Sequence, residues 1–204
     1  MNRKLKHSYY RNHDVEFLAK DLLGKVLYTN KNGQLTAGLI TETEAYFGGD
    51  DKASHAFGKR RTARTEIMYG PGGFTYVYLC YGIHYLLNVV VSDSDDPKCV
   101  LIRAVEPYAG KEIIEERRKM PVTNAAVSSG PGSLSKALGI DGSFNKKDLN
   151  EDEIWVEDIG NRYAPEEIAA VPRVGIDYAK EHALLPLRFY IKDNKFVSKK
   201  VKFL

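Results

Sequence analysis

Two carboxylates and a phenol, side chains that accept or donate protons, share one side of a predicted strand in TETEAY. Side chains alternate along a strand, so Glu42, Glu44 and Tyr46 point the same way. They are either solvated groups on an outer face or functional groups, because the strand ends at a glycine pair that opens into a long loop. The residues alone leave both interpretations open.

Two polar residues interrupt apolar strands further along the chain. Arg103 lies in VLIRAVEP and Asn88 lies in LLNVV. A buried arginine needs a carboxylate partner such as Glu44, and a buried amide needs defined hydrogen bonds. Alternatively, Arg103 reaches solvent from an edge strand and Asn88 faces the surface. A lone histidine such as His55 is more often a surface or core residue than a catalyst.

Familiar catalytic and metal-binding motifs are absent from the sequence. The other four histidines lack zinc-site spacing, no G-x-S-x-G elbow occurs, and GPGG is a turn rather than a phosphate-binding loop. SSGPGSLSK places a turn before a predicted helix start, which is only a weak phosphate-binding signal. We expect neither a metal nor a cofactor.

The charge is nearly balanced but unevenly distributed. The chain has 204 residues with 30 basic and 27 acidic side chains, a net charge of +3. GKRRTAR concentrates Arg60, Arg61 and Arg64, so one face is expected to be positive. No membrane-spanning run or signal peptide is recognisable, and Cys80 and Cys99 read as buried free thiols. These features predict an intracellular protein, cytoplasmic or associated with the nucleoid or nucleus.

Helices and hairpins alternate without a regular βαβ rhythm, which favours one α+β domain over residues 1–204 with a mostly antiparallel sheet. Asp14 should cap a helix through Leu23, and Asn32-Gly33 should turn a hairpin. Strands are expected within 74–91 and 99–107. Further helices are predicted in GKEIIEERRKM, SLSKALGI and PEEIAAV, and a closing hairpin is predicted around Asp193-Asn194.

The ordered set of segments is more specific than any one of them. TETEAY, a Ser-His pair nine residues after its tyrosine, PGGFTYVYLCYGIHYLLNVV, VLIRAVEP, SSGPGSLSKALGI, PRVGI and PLRFY follow one another. This order resembles the alkyladenine (3-methyladenine) DNA glycosylase family, which excises alkylated and deaminated purines. The resemblance covers nearly the whole chain. It implies a curved antiparallel sheet with flanking helices and a protruding hairpin that intercalates into DNA.

The resemblance also implies roles for individual residues. Glu44 matches the general base, and Arg103 matches the residue that places the attacking water. The pocket for the base is matched by Tyr46, His55, Tyr78 and Asn88, and the intercalating wedge is matched by Tyr81 with Ile83. The contacts to the DNA backbone are matched by Arg60, Arg61 and Arg64. Tyr76 is expected in the core. No lysine lies at a matched catalytic position, so hydrolysis without strand cleavage is expected.

The expected substrates are 3-methyladenine, 7-methylguanine and hypoxanthine in double-stranded DNA, with the protein acting as a monomer. Two other functions stay open. A non-catalytic nucleic-acid-binding module would use the tyrosines as stacking platforms. A hydrolase of free nucleosides would cleave the same bond without needing the Tyr81 wedge or the arginine cluster.

Overall fold

The computed structural model describes residues 3–201, so residues 1–2 and 202–204 of the predicted domain lie outside it. It is an α+β structure, as predicted. In chain order its elements are α1 (His7–Tyr10), α2 (Val15–Asp21), β1 (Val26–Lys31), β2 (Gln34–Tyr46), β3 (Thr75–Cys80), β4 (His84–Val91), β5 (Lys98–Ala109), α3 (Lys111–Arg118), α4 (Pro131–Leu138), β6 (Ile154–Glu157), β7 (Ile168–Val171) and β8 (Arg188–Ile191). Short 3₁₀ turns occupy several of the connections.

The strands form one curled antiparallel sheet in the order β3-β4-β5-β2-β1-β6. Strand β5 covers one edge of β2. The other edge is shared, because β1 pairs with residues 34–39 of β2 and β8 pairs with residues 42–44. Strand β7 extends the sheet beyond β8. Both edges of β2 are therefore paired over most of its length, which gives the residues near its end a rigid support.

Helices α2 and α4 pack against the sheet, and α3 packs on α4. The Asp14 carboxylate accepts a hydrogen bond from the Phe17 N–H at 2.8 Å, which confirms the predicted cap and satisfies one free donor of the first turn. Leu18 and Ala19 of α2 are buried in the main apolar cluster. No helix within residues 3–201 has the length and apolar character needed to cross a membrane.

Two turns have the geometry that their residues favour. Asn32 and Gly33 both have positive φ, 53° and 79°, and connect β1 to β2 as predicted. Tyr81 and Gly82 also have positive φ, 49° and 70°, and connect β3 to β4. A positive φ is easy for glycine and costly for tyrosine, so Tyr81 is held in an unusual conformation at the tip of its hairpin.

The pairing of β2 with β5 contains three irregularities, and the two beside Glu42 offset each other. The register runs from Ile40↔Val105 to Glu42↔Ala104 and then to Thr43↔Ile102. Thr41 and Arg103 are thus extra residues, one on each strand. Ile40 and Ala45 both lie in the main core although they are five positions apart, an odd number that regular alternation would place on opposite faces. The extra Thr41 changes the phase of alternation, so Glu42 and Glu44 face away from that core.

Three predictions of local structure are corrected. PEEIAAV forms a 3₁₀ turn and strand β7 rather than a helix, because pairing with β8 satisfies its backbone. The closing hairpin around Asp193-Asn194 is wrong, because the chain after β8 leaves the sheet and the Ser198 N–H binds the Glu42 carboxylate at 2.7 Å. Cys99 is buried, but Cys80 is only half-buried; both are free thiols.

Candidate active site

A cavity of about 580 Å³ lies between the β3–β4 hairpin, the end of β2 and the segment that precedes β8. It brings together most of the predicted site residues. Those on its wall are Glu44, Tyr46, His55, Arg64, Tyr78, Tyr81, Asn88 and Arg103. Ile83, Arg60 and Arg61 are not on its wall, although all three belong to neighbouring segments.

Glu44 is completely buried at the inner wall of this cavity. Its Oε1 accepts a hydrogen bond from the Val174 N–H at 2.9 Å and lies 3.2 Å from Nη1 of Arg103. Its Oε2 accepts from the Tyr46 hydroxyl at 2.7 Å. A carboxylate offers about four lone-pair positions, so these three donors leave about one for a further molecule. The interpretation of Glu44 as a solvated surface group is therefore wrong.

Arg103 connects Glu44 to a second buried carboxylate. Its Nε donates to Oε1 of Glu42 at 3.1 Å, and its Nη2 donates to the Ser198 hydroxyl at 3.3 Å. Burial alone would lower the pKa of Arg103, but the Glu44 and Glu42 carboxylates raise it above its ordinary value. Arg103 is thus a fixed cation with a carboxylate partner, and the alternative of an arginine that reaches solvent from an edge strand is wrong.

Glu42 fixes Arg103 on the side away from the cavity through a network of hydrogen bonds. Its Oε1 also accepts from Nη1 of Arg188 at 2.8 Å and from the Ser198 hydroxyl at 2.9 Å. Glu42 is completely buried, so the surface interpretation is wrong for this residue as well. The sequence pattern indicated a carboxylate such as Glu44 as the partner of Arg103, and it indicated no specific contact for Glu42, Arg188 or Ser198.

The Tyr46 ring forms part of the cavity wall beside Glu44. Burial and the neighbouring Glu44 charge raise the pKa of Tyr46 well above its ordinary value, so its hydroxyl stays protonated and donates. The Arg173 guanidinium lies 4.6 Å from the centre of the ring and is bound by both oxygens of buried Asp51, at 2.5 and 2.9 Å. Tyr46 is therefore fixed by hydrogen bonding and by stacking.

His55 and Tyr78 face each other edge to face, with ring centres 4.7 Å apart. His55 Nδ1 is 2.7 Å from the hydroxyl of Tyr76. Burial, followed by the charges of Arg64 and Arg60, lowers the pKa of His55 to about 4, so this ring is neutral at neutral pH. Tyr76 is buried, as expected, and its hydroxyl holds the histidine ring in place at the cavity wall.

Asn88 is buried on strand β4, so it does not face the surface. Its Nδ2 donates to the Tyr76 carbonyl at 3.1 Å, and its Oδ1 lies 3.8 Å from the Cys99 sulfur. An amide nitrogen has two N–H groups, and one is used by Tyr76. The amide is therefore held with a donor still available at the cavity wall.

The hairpin tip exposes two large apolar side chains. Tyr81 is 90% exposed and Ile83 is 71% exposed. Neither is covered by another part of residues 3–201, which is unusual for large apolar groups and typical of a contact surface.

The three predicted arginines have different surroundings. Arg61 binds Glu66 with two hydrogen bonds at 2.7 and 2.9 Å and binds Asp95 at 2.8 Å. Arg64 donates from Nε to the Tyr76 hydroxyl at 3.2 Å, and its guanidinium lies 4.8 Å from the centre of the Tyr78 ring. Arg60 is exposed and forms no ion pair within the described part of the chain.

Sequence reasoning also missed Tyr178, which lies on the cavity wall and is 66% exposed. Its hydroxyl donates to the Ala53 carbonyl at 3.2 Å. The only available signal was an aromatic residue shortly after PRVGI. No group of three or more His, Cys, Asp or Glu side chains within residues 3–201 is arranged to hold a metal ion.

Comparison with known proteins gives one consistent family. A profile of the methylpurine-DNA glycosylase family matches residues 8–195. A protein of Clostridium acetobutylicum is 46% identical over 202 residues, which cover 96% of this chain and 97% of that protein. A relative from Natranaerobius thermophilus is 44% identical over 96% of this chain and 98% of its own length. A relative from Chlamydia abortus is also 44% identical, over 92% of this chain and 97% of its own length. All three carry the provisional name 3-methyladenine DNA glycosylase.

Proposed function

Because the chain belongs to the methylpurine-DNA glycosylase family, we propose that it removes alkylated or deaminated purines from double-stranded DNA by hydrolysing the N-glycosidic bond. The observation that carries this proposal is the buried Glu44, held by Arg103, Tyr46 and the Val174 N–H at the inner wall of an aromatic cavity. The proposed substrates are 3-methyladenine, 7-methylguanine and hypoxanthine.

Glu44 acts as the general base. A water bound at its remaining lone-pair position loses a proton to the carboxylate while the water oxygen bonds to C1′. The bond from C1′ to the purine nitrogen breaks, and its electron pair leaves with the base. A cationic alkylated purine leaves as a neutral molecule, whereas hypoxanthine leaves as an anion and takes up a proton from solvent. The Glu44 carboxylate also stabilises positive charge that develops on the sugar, as in other glycosidases.

The walls and rim of the cavity would bind the displaced nucleotide. The family resemblance favours Tyr46 and His55 on one side of the purine and Tyr78 on the other. Because the His55 and Tyr78 rings contact each other, we place these two together, opposite Tyr46. Tyr81 and Ile83 fill the space left in the duplex, at an unstacking cost of a few kcal/mol that is lowest at damaged or mismatched bases. The fixed donor of Asn88 opposes the exocyclic amino group of guanine, so that normal guanine is rejected.

Exposed cations beside the cavity would bind DNA phosphates and give salt-dependent affinity. Arg60 is free to do this, whereas Arg61 must first leave Glu66 and Asp95. No lysine lies on the cavity wall within the described residues, which supports hydrolysis without strand cleavage. The cavity is assembled within one chain, so we propose a monomer.

The test uses duplex DNA that carries one hypoxanthine or one 3-methyladenine, with alkali to reveal abasic sites. Wild-type protein should excise both bases, and Glu44→Gln should bind the duplex without excising either. Glu112→Gln, an exposed carboxylate on α3, is the control and should behave as wild type. Binding without excision by wild type would support a recognition module, and cleavage of free inosine alone would support a nucleoside hydrolase. Full excision by Glu44→Gln would remove Glu44 from the mechanism.

A further inference from the structure

The charges on the cavity wall and in the buried network behind it are matched in number, with one exception. Three buried carboxylates each have an arginine partner: Glu44 with Arg103, Glu42 with Arg188, and Asp51 with Arg173. These six charges sum to zero. Arg64 is the remaining charged residue on the cavity wall, and it forms no ion pair with any carboxylate in residues 3–201.

Arg64 is also held in a defined position. Its Nε donates to the Tyr76 hydroxyl, and its guanidinium stacks on the Tyr78 ring at 4.8 Å. A purine that stacks on the Tyr78 ring would lie within about 12 Å of this cation, since stacked rings have centres about 4.5–7 Å apart. At that distance a fixed charge acts on the charge of the base itself.

Both aromatic walls already have a cation on one face. Arg173 lies over Tyr46 at 4.6 Å, and Arg64 lies over Tyr78. The attraction of a ring for a cation comes from its quadrupole, and a bound guanidinium offsets that negative potential. His55 is neutral, because burial and the nearby arginines lower its pKa, so Arg64 is the source of the excess positive charge on the wall.

We propose that Arg64 is a specificity-determining residue, whose unmatched charge makes the site favour neutral damaged purines, such as hypoxanthine, over permanently cationic ones, such as 7-methylguanine. This inference rests on the proposed function and refines it. Both classes can be substrates, but a cationic base is repelled by the charge of Arg64, and the aromatic rings of the cavity already bind the guanidinium groups of Arg64 and Arg173.

The experiment compares single-turnover kcat/KM for duplexes that contain hypoxanthine or 7-methylguanine, in wild type and in Arg64→Gln. The ratio of 7-methylguanine to hypoxanthine excision should rise about fivefold in Arg64→Gln, because solvent weakens but does not abolish the repulsion at an exposed cation. Comparing ratios removes the intrinsic difference in stability between the two glycosidic bonds.

Two further variants separate charge from DNA affinity. Arg60→Gln also removes one cation beside the cavity, and it should slow both substrates equally without changing the ratio. Arg64→Lys keeps the charge and should keep the wild-type ratio. An unchanged or lower ratio in Arg64→Gln would overturn the inference while leaving the proposed function intact. Failure of wild type to excise either base would instead overturn the proposed function.

Discussion

Replacement of Glu42 by glutamine tests whether the buried charge network supports both the fold and the site. The Glu42 carboxylate accepts four hydrogen bonds, three at Oε1 from Arg103, Arg188 and the Ser198 hydroxyl, and one at Oε2 from the Ser198 N–H. Glutamine keeps the shape and one oxygen. Its amide nitrogen would then face the Ser198 N–H, so that two donors oppose each other.

The expected loss in the free energy of unfolding is about 3–5 kcal/mol, the usual effect of removing one partner from a buried ion pair. About 1–3 kcal/mol of that arises from leaving the Ser198 N–H without an acceptor. Single domains are typically stable by about 5–15 kcal/mol, so Glu42→Gln should still fold. Its excision rate should also fall, because Arg103 loses one of the two carboxylates that position it.

Urea unfolding at pH 7 measures this effect. The single tryptophan, Trp155, stacks on Tyr28 with ring centres 5.0 Å apart and reports on strand β6. Glu66→Gln is the matched control, because Glu66 also binds an arginine but is 51% exposed, so its midpoint should stay near that of wild type. A Glu42→Gln midpoint no lower than that of Glu66→Gln would refute the reasoning, since it would mean that the buried network contributes nothing to stability.

Three other perturbations have defined outcomes. The free energy of unfolding should fall by up to about 3 kcal/mol as the pH drops from about 6.5 to 4, because unfolded His55 gains a proton there while the folded histidine, with its pKa lowered to about 4, does not. His55→Gln should flatten that part of the stability curve measured by urea titration, and an unchanged slope would contradict the assignment. Tyr81→Ala should weaken binding to a hypoxanthine duplex about tenfold without changing the melting temperature of the protein, because the ring is 90% exposed. Equal affinities of wild type and Tyr81→Ala in a titration would rule out a wedge. Tyr178→Ala should weaken the same binding. Leu184→Ala is the control and should not weaken it, because Leu184 lies in the same segment and is 77% exposed but is not on the cavity wall. Equal effects of the two variants would argue against a specific contact of Tyr178 with DNA.

Much of the fold could be predicted from local patterns. Asp14 caps its helix and Asn32-Gly33 turns its hairpin, because both signals act within a few residues. PEEIAAV was assigned to the wrong class because its pairing partner, β8, lies about 20 residues further along the chain. Pairing over such separations overrides local propensity and leaves no local trace.

Some residues of the candidate site could be predicted from the sequence, and others could not. The ordered motifs gave Glu44, Arg103 and the aromatic residues, and the structure brings these together around one cavity. Glu42, Arg188 and Ser198 were missed, since their contacts join residues up to 156 positions apart. Strand alternation placed Glu42 and Glu44 on one side correctly, but it could not tell that this side is buried or that Thr41 shifts the phase.

The extra residues at Thr41 and Arg103 make the site depend on chain length. Each strand gains one residue at nearly the same place, so the register is restored within about two residue positions. Deletion of Thr41 alone would leave Arg103 as an unmatched extra residue on β5, so that β2 would be one residue too short for its partner across the site, whereas replacement of the Thr41 side chain would keep the two strands matched. Random mutagenesis of this region should therefore recover substitutions at Thr41 far more readily than insertions or deletions. Single-residue length changes should survive only when β2 and β5 change together.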